Sequence, residues 1–169
     1  TATNLFQNIT SASSGSLILN GLVITKPNST TITSSVDNWL INPQGTGYFI
    51  PQGNDPIEIR YNEQTTPVES GSDYAAPTTT SAAAKAYINH GVKPSSKNYS
   101  FVVIPATTGT AMQTLVSQMS NGGGSIYQIH AQNSALRAIS YKPQNITAYS
   151  FFGEVINWSF GVIKSITTK

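Results

Sequence analysis

The sequence predicts an all-β protein, an antiparallel β-sandwich with one short helix at about residues 110–120. Three observations support this fold class. Short runs rich in β-branched and aromatic residues recur along the 169 residues and are separated by glycine, proline and asparagine. Only 9% of the residues are charged, against about 25% in an average soluble protein, so serine, threonine, asparagine and glutamine supply the polarity. A single stretch has the apolar spacing of a helix.

The first predicted strands form a hairpin. Residues 17–19 and 22–24 are apolar and flank Asn20-Gly21, the strongest short-range signal for a tight turn between two strands. Residues 39–41 make a fuller apolar run further along the chain. We expect this run to be buried and Trp39 to lie in the core.

The middle of the chain contains further strands and a predicted loop. Residues 48–50 and 57–61 are separated by a segment dense in proline, glycine and asparagine, which is typical of a turn. Residues 64–81 carry proline, serine and threonine without a hydrophobic period, which predicts the longest loop of the chain. Such a loop is either functional or a plain surface connection. A strand at 99–104 follows and is ended by Pro105.

The predicted helix has recognisable ends. Thr108 or Thr110 caps its start, and the glycines at 122–124 end it. Its apolar residues recur with helical spacing and are Met112, Leu115, Val116 and Met119. We expect this apolar stripe to pack against a sheet. Four further strands are predicted at 126–129, 136–141, 147–152 and 158–163.

The composition argues against several classes of protein. Nine basic residues against seven acidic ones give a net charge of +2, and the bases are scattered, so no nucleic-acid partner is predicted. The chain has no cysteine, hence no disulfide and no thiolate metal site, and no apolar run long enough for a transmembrane helix. The polar, β-rich composition predicts a secreted, extracellular protein. The start at Thr1, without methionine, suggests a mature or excised segment.

The sequence gives little support for acid–base or metal chemistry. His90 and His130 are the two histidines; we expect His90 to bond nearby backbone and His130 to face solvent or a neighbouring strand. Asn54-Asp55 and Glu58 offer the hard oxygen ligands that calcium takes, so calcium is the one cofactor left open. Glycosylation sequons, several of which are expected by chance, occur at Asn8, Asn28, Asn98, Asn145 and Asn157.

Aromatic and cationic side chains are the better functional candidates, because flat rings stack on sugars and cations bind carboxylates. Tyr61 lies next to the predicted long loop and Tyr74 lies within it, and these two rings are the expected stacking platforms. Arg60 and Lys93 are the expected partners of a sugar carboxylate. The other bases with this potential are Lys85, Lys97 and Arg137. Nothing in the sequence places these groups together.

Several motifs carry a family resemblance. Residues 87–106 combine Asn-His-Gly, a Lys-Pro corner and the strand Tyr-Ser-Phe-Val-Val-Ile-Pro. Residues 45–51 have the form Gly-x-Gly-Tyr-Phe-Ile-Pro, and 146–152 have the form Ile-Thr-Ala-Tyr-Ser-Phe-Phe. Together these motifs resemble the late β-sandwich region of polysaccharide lyase family 8, which includes bacterial hyaluronate, chondroitin AC and xanthan lyases.

The resemblance implies a sandwich without the catalytic machinery. Enzymes of this family hold the Asn, His, Tyr and Arg that carry out β-elimination on a large helical domain that precedes the sandwich. Motifs of that domain are absent here, so no catalytic residue is assigned and the chain is not expected to be active alone. We expect residues 1–169 to form a single sandwich domain. Within it, about 1–142 resemble the central lyase sandwich, and 143–169 resemble the start of a following one.

Two functions therefore remain open. The first is the non-catalytic sandwich of a secreted lyase that acts on acidic, uronate-containing polysaccharide. The second is a self-standing secreted module for carbohydrate binding or surface assembly, without lyase chemistry. The expected partners are the polymer and either the catalytic helical domain or further copies of the chain, joined through sheet edges.

Overall fold

A computed structural model of the chain describes residues 1–10, 15–67, 78–120, 126–152, 158–160 and 163–166. It confirms an all-β antiparallel fold with one short α-helix, and it divides into two compact units, Thr1–Val116 and Ser117–Lys169. The strands are β1 (Ala2–Thr10), β2 (Leu17–Leu19), β3 (Leu22–Ile24), β4 (Asn28–Ile32), β5 (Asn38–Ile41), β6 (Gly47–Ile50), β7 (Ile57–Pro67), β8 (Thr78–Asn89), β9 (Val102–Ile104), β10 (Tyr127–Gln132), β11 (Leu136–Tyr141), β12 (Ile146–Phe151), β13 (Trp158–Phe160) and β14 (Ile163–Ile166). The α-helix, α1, is Gly109–Ser120, and a 3₁₀ turn follows β11 at Lys142–Gln144.

Two antiparallel sheets make up the sandwich of the first unit. Sheet one has the strand order β1-β8-β7-β4, and sheet two has the order β3-β2-β5-β6-β9. The apolar core draws residues from both sheets, and the rings of Phe6 and Tyr48 approach with centroids 5.3 Å apart. Its buried members are Leu5, Phe6, Leu17, Leu40, Tyr48, Ile50, Ile57, Ile59, Ala84, Ala86 and Ile88. Burial of this shared apolar surface holds the two sheets together.

The predicted hairpin is confirmed between β2 and β3. Asn20 and Gly21 both adopt positive φ, 48° and 88°, as the two central residues of a tight hairpin turn require. The Asn20 side chain then joins the hairpin to β5. Its Oδ1 accepts a hydrogen bond from the backbone N–H of Trp39 at 2.8 Å, and its Nδ2 donates to Asn38 Oδ1 at 2.9 Å.

The helix covers sheet two beside β5 and β6, in which every residue is buried. Trp39 is 5% exposed, as predicted. Met112 is fully buried and lies so close to Gly47 that a β-carbon there would stand 2.6 Å from its Sδ. Thr108 caps the helix, since its Oγ1 accepts from the N–H of Ala111 at 3.3 Å. The glycines predicted to end the helix lie outside the described residues.

The prediction of a loop over 64–81 is wrong at both ends. β7 and β8 continue their antiparallel pairing as far as Pro67 opposite Thr78, and 68–77 lie outside the described residues. Threonine, serine and alanine dominate the start of β8, so its sequence lacks the apolar alternation that marks most strands. Backbone pairing with β1 and β7 on its two sides places it in the sheet instead.

The second unit contains a three-stranded sheet, β10-β11-β12, and the two-stranded pair β13-β14. Leu136 and Ala138 are buried in a small cluster with Tyr149 packed against them. His130 Nε2 lies 2.6 Å from Ser140 Oγ on the neighbouring strand, as expected for this histidine. The predicted division of the chain at about residue 142 stays a prediction. Within the described ranges, no helix is long and apolar enough to cross a membrane.

Candidate functional site

The outer face of sheet one is polar because β7 and β8 alternate strictly. Ile57 and Ile59 point into the core, whereas Glu58 and Arg60 lie between them on the other face. On β8, buried Ala84, Ala86 and Ile88 likewise alternate with Lys85, Tyr87 and Asn89. The register sets Arg60 directly opposite Lys85 and Glu58 directly opposite Tyr87. Strand pairing thus brings together polar groups that are far apart in sequence.

Glu58 is the most heavily bonded of these groups. The Tyr87 hydroxyl donates to its Oε2, Asn89 Nδ2 donates to its Oε1 at 2.5 Å, and Arg60 Nη2 donates to Oε2 at 3.1 Å. These hydrogen bonds, the one from Tyr87 foremost, hold the pKa of the Glu58 carboxyl below its ordinary value. The same bond raises the pKa of the Tyr87 hydroxyl, because the neighbouring carboxylate disfavours a phenolate.

Beside this network the outer face contains a shallow depression of about 230 Å³. Its lining residues are Gln7, Arg60, Asn62, Glu63, Gln64, Ala83, Ala84 and Lys85. Lys85 makes no hydrogen bond or ion pair with the described part of the chain. Glu63 is paired at 3.2 Å with Lys26, and both side chains are exposed. The lining is therefore cationic and amide-rich, and none of its described residues is aromatic.

A second polar cluster is centred on His90, at the end of β8. Its Nδ1 lies 2.8 Å from Asp55 Oδ2, and its Nε2 lies 2.8 Å from Thr3 Oγ1. The expectation that the ring bonds nearby backbone is therefore wrong, because both nitrogens bond side chains distant in sequence. Lys97 Nζ donates to the other Asp55 oxygen at 2.7 Å. Lys97 first, and then His90, lower the pKa of the Asp55 carboxyl.

The carboxylates considered for calcium are each engaged by other groups. Asp55 bonds Lys97 and His90, and Glu58 is held by three donors. The Asn54 amide exchanges hydrogen bonds with the backbone of Ser100, its Nδ2 also donating to the carbonyl of Pro51. In the ranges that the structure describes, no three histidine or acidic side chains group as metal ligands. Calcium binding stays a prediction, and this arrangement does not favour it.

The structure separates the residues expected to bind sugar. Arg60 lies on the outer face of sheet one, while Tyr61, the next residue, is half-buried and packs against the core on the inner side. Lys93 is exposed in the segment after β8, and Tyr74 lies outside the described residues. The sequence indicates Lys85 as a candidate cation but not that it lies directly opposite Arg60. Cross-strand register, which the sequence does not display, is the signal that identifies this pair.

Comparison with known proteins gives a consistent answer. Residues 6–116, nearly the whole first unit, match polysaccharide lyase family 8, super-sandwich domain. Chondroitin sulfate ABC endolyase of Proteus vulgaris is 26% identical over 151 residues, which are 89% of this chain and 14% of that protein. The chain thus spans a small part of this relative.

Two solved structures share the fold. A Paenibacillus xanthan lyase superposes with a TM-score of 0.71 at 20% identity, over 89% of this chain and 15% of that one. A chondroitinase AC lyase, whose structure was solved with oligosaccharides, also gives a TM-score of 0.71, at 17% identity, over 92% of this chain and 22% of that one.

Proposed function

Because the chain belongs to polysaccharide lyase family 8, we propose that it is the non-catalytic β-sandwich portion of a secreted polysaccharide lyase acting on uronate-containing polysaccharide. In this role it supports the catalytic domain and contacts the polymer. One observation carries the proposal: the family match is to the super-sandwich domain, and the chain corresponds to only 14% of the endolyase that it resembles. In this proposal the catalytic domain carries out the elimination, and the sandwich supports that domain and contacts the polymer.

The bonding of His90 and Tyr87 supports a non-catalytic role. β-Elimination needs a base that removes the proton beside a carboxylate and an acid that protonates the leaving oxygen. Both ring nitrogens of His90 are bonded to Thr3 and Asp55. Tyr87 donates to Glu58, and its raised pKa makes it a poorer base at neutral pH. Neither group is poised to exchange a proton with a polymer.

The test is an activity assay on the chain alone. Purified protein is incubated with hyaluronan, chondroitin sulfate and xanthan, and unsaturated uronate products are followed by ultraviolet absorbance. The Proteus vulgaris endolyase on chondroitin sulfate serves as the positive control. We expect no product from the chain. Turnover by this protein that survives further purification would contradict a non-catalytic role.

The second candidate function is a self-standing secreted module for carbohydrate binding or surface assembly. The polar outer face of sheet one favours it, because such a face contacts a polymer without help from a catalytic domain. The mass and sequence of the native protein decide between the two. Several hundred helical residues ahead of the sandwich support the lyase, and a mature protein of about this length supports the module. Sedimentation of the chain tests the self-association through sheet edges that was predicted from the sequence.

A further inference from the structure

We propose that the depression on sheet one holds one uronate residue of an acidic polysaccharide, with the sugar carboxylate bound by Arg60 and Lys85. This inference rests on the proposed function, because it identifies the part of the sandwich that contacts polymer and the sugar bound there. Arg60 belongs to β7 and Lys85 to β8, and the two residues are direct register partners.

The shape of the depression suits a single sugar of a longer chain. Ala83 faces outward opposite Asn62, and its small side chain leaves a hollow beside Lys85. The volume of about 230 Å³ is below the roughly 300–1,000 Å³ typical of pockets that enclose a whole small molecule. A polymer lying across the exposed face therefore places one ring in the hollow, while its neighbours continue along the sheet.

The charges in and around the depression favour an anion. Arg60 and Lys85 are two cations against the single carboxylate of Glu58, once Glu63 is paired with Lys26. Lys85 has no partner among the described residues, so binding a carboxylate breaks no existing ion pair of this side chain. Its ammonium group supplies three donors to an incoming oxygen.

Arg60 is already oriented for this task. Its Nη2 donates to Glu58 Oε2, and Tyr87 and Asn89 fix that carboxylate in turn. A guanidinium group carries five N–H donors, and one bond to Glu58 leaves the others for a ligand. Because the side chain is held before binding, less conformational entropy is lost when the sugar carboxylate arrives.

The remaining lining residues match sugar hydroxyls rather than a hydrophobic ligand. Gln7, Asn62 and Gln64 present amide groups, which both donate and accept hydrogen bonds. None of the described lining residues is aromatic, so this site does not offer the ring stacking on which many neutral-sugar sites depend. Recognition rests on the carboxylate and the hydroxyls, which selects acidic over neutral polysaccharide.

The experiment is a calorimetric titration of the full chain with hyaluronan oligosaccharides, whose only anionic groups are carboxylates. We expect saturable binding that weakens at high salt. The double variant Arg60→Gln/Lys85→Gln is expected to lose at least about tenfold in affinity, because charge-assisted hydrogen bonds are the strongest contacts that it removes. Ala83→Leu fills the hollow without changing any charge and is expected to weaken binding to a similar extent.

One control isolates the site from the overall charge. Lys142→Gln removes one positive charge from an exposed residue that does not line the depression, and we expect nearly unchanged affinity. Circular dichroism reports whether each variant is folded. If Ala83→Leu fails to fold, the double variant Arg60→Gln/Lys85→Gln still tests the site, because these two side chains lie on the outer face and their substitution should leave the fold intact.

Several outcomes would overturn the site. These are no binding of hyaluronan oligosaccharides, equal binding of their carboxyl-reduced form, binding of sulfated chains alone, or affinity that survives the double variant. None of these results bears on the assay for unsaturated products, so the non-catalytic role stands or falls separately. Conversely, lyase turnover by the chain would contradict the proposed function and leave the depression to be judged by its own titration.

Discussion

The two sheets of the sandwich share one core but differ in what covers their outer faces. In sheet two, β5 and β6 are buried on both faces, because α1 closes the side away from the core. In sheet one, β7 and β8 bury one face and present Glu58, Arg60 and Lys85 on the other. Apolar residues on both faces make sheet two a structural support. Strict alternation gives sheet one an outer face on which substitutions should cost the fold little.

The largest expected difference comes from substituting two neighbouring residues of β7, one on each face of sheet one. Ile59→Ala removes a fully buried side chain from the core, and we expect a loss of about 2–5 kcal/mol in the free energy of unfolding. Arg60→Ala removes an exposed side chain with one ion pair and should cost below about 1 kcal/mol. Urea unfolding of both variants measures the difference. Similar losses would mean that the outer face is as structural as the inner one.

The covered face of sheet two is tested at Met112. Met112→Ala opens a cavity between α1 and Gly47, and we expect a loss of about 2 kcal/mol or more in unfolding free energy. Thr110→Ala, at an exposed position of the same helix, is the control and should change stability by about 0.5 kcal/mol or less.

A double-mutant cycle sharpens this test, since Gly47→Ala forces a contact with Met112 Sδ. Gly47→Ala should lower the free energy of unfolding by less when Met112 is already alanine. Strict additivity of the two losses would contradict the direct packing of helix on sheet.

The helix cap should give a smaller effect. Thr108→Ala removes the oxygen that accepts from the N–H of Ala111, and we expect a loss of about 1 kcal/mol. Thr108→Ser keeps the hydroxyl and should retain most of the stability. The comparison is made by thermal unfolding of the two variants in parallel. Equal melting temperatures would show that this hydroxyl does not hold the cover of sheet two in place.

The smallest expected effect is a pH dependence located on the open face. The folded-state pKa of Glu58 is lowered, so its ionised form stabilises the fold above its ordinary value of 4.5. This contribution is lost as the pH falls from there through the folded-state pKa. Urea midpoints of wild type between neutral and acid pH should therefore fall more steeply than those of Glu58→Gln. Tyr87→Phe should reduce this fall in the urea midpoint more than Arg60→Gln does, because the hydrogen bond from Tyr87 is the leading cause of the lowered Glu58 pKa. Parallel curves for wild type and Glu58→Gln would contradict this account.

Local signals predicted local structure well. Asn20-Gly21 identifies its hairpin, because the two positive φ angles of the turn suit these two residues. Thr108 and the spacing around Met112 identify the helix for a similar reason, since the cap and the apolar stripe lie within a few residues of one another. Each of these features depends on contacts between sequence neighbours.

Features that depend on strand pairing were missed. The sequence predicts a loop at the start of β8 because the alanines and threonines there lack apolar alternation, yet this segment pairs with a strand on each side. Arg60 and Lys85 were both candidates, but their meeting depends on the register of β7 against β8. The partners of His90 lie 35 and 87 positions away along the chain. No local pattern encodes such distances.

The pairing of β1 with β8 also determines when β1 can join its sheet during translation. Ala2 pairs with Asn89 and Thr10 pairs with Ala82, so β1 has no partner strand until most of the first unit has been translated. The hairpins β2–β3, β5–β6 and β7–β8 pair strands over much shorter spans of the chain. At about 5–20 residues per second on the ribosome, the wait lasts several seconds. Until β8 is available, Leu5 and Phe6 lack the neighbouring strand beside which they are buried in the finished sandwich, for a time set by the speed of translation and not by the stability of that sandwich.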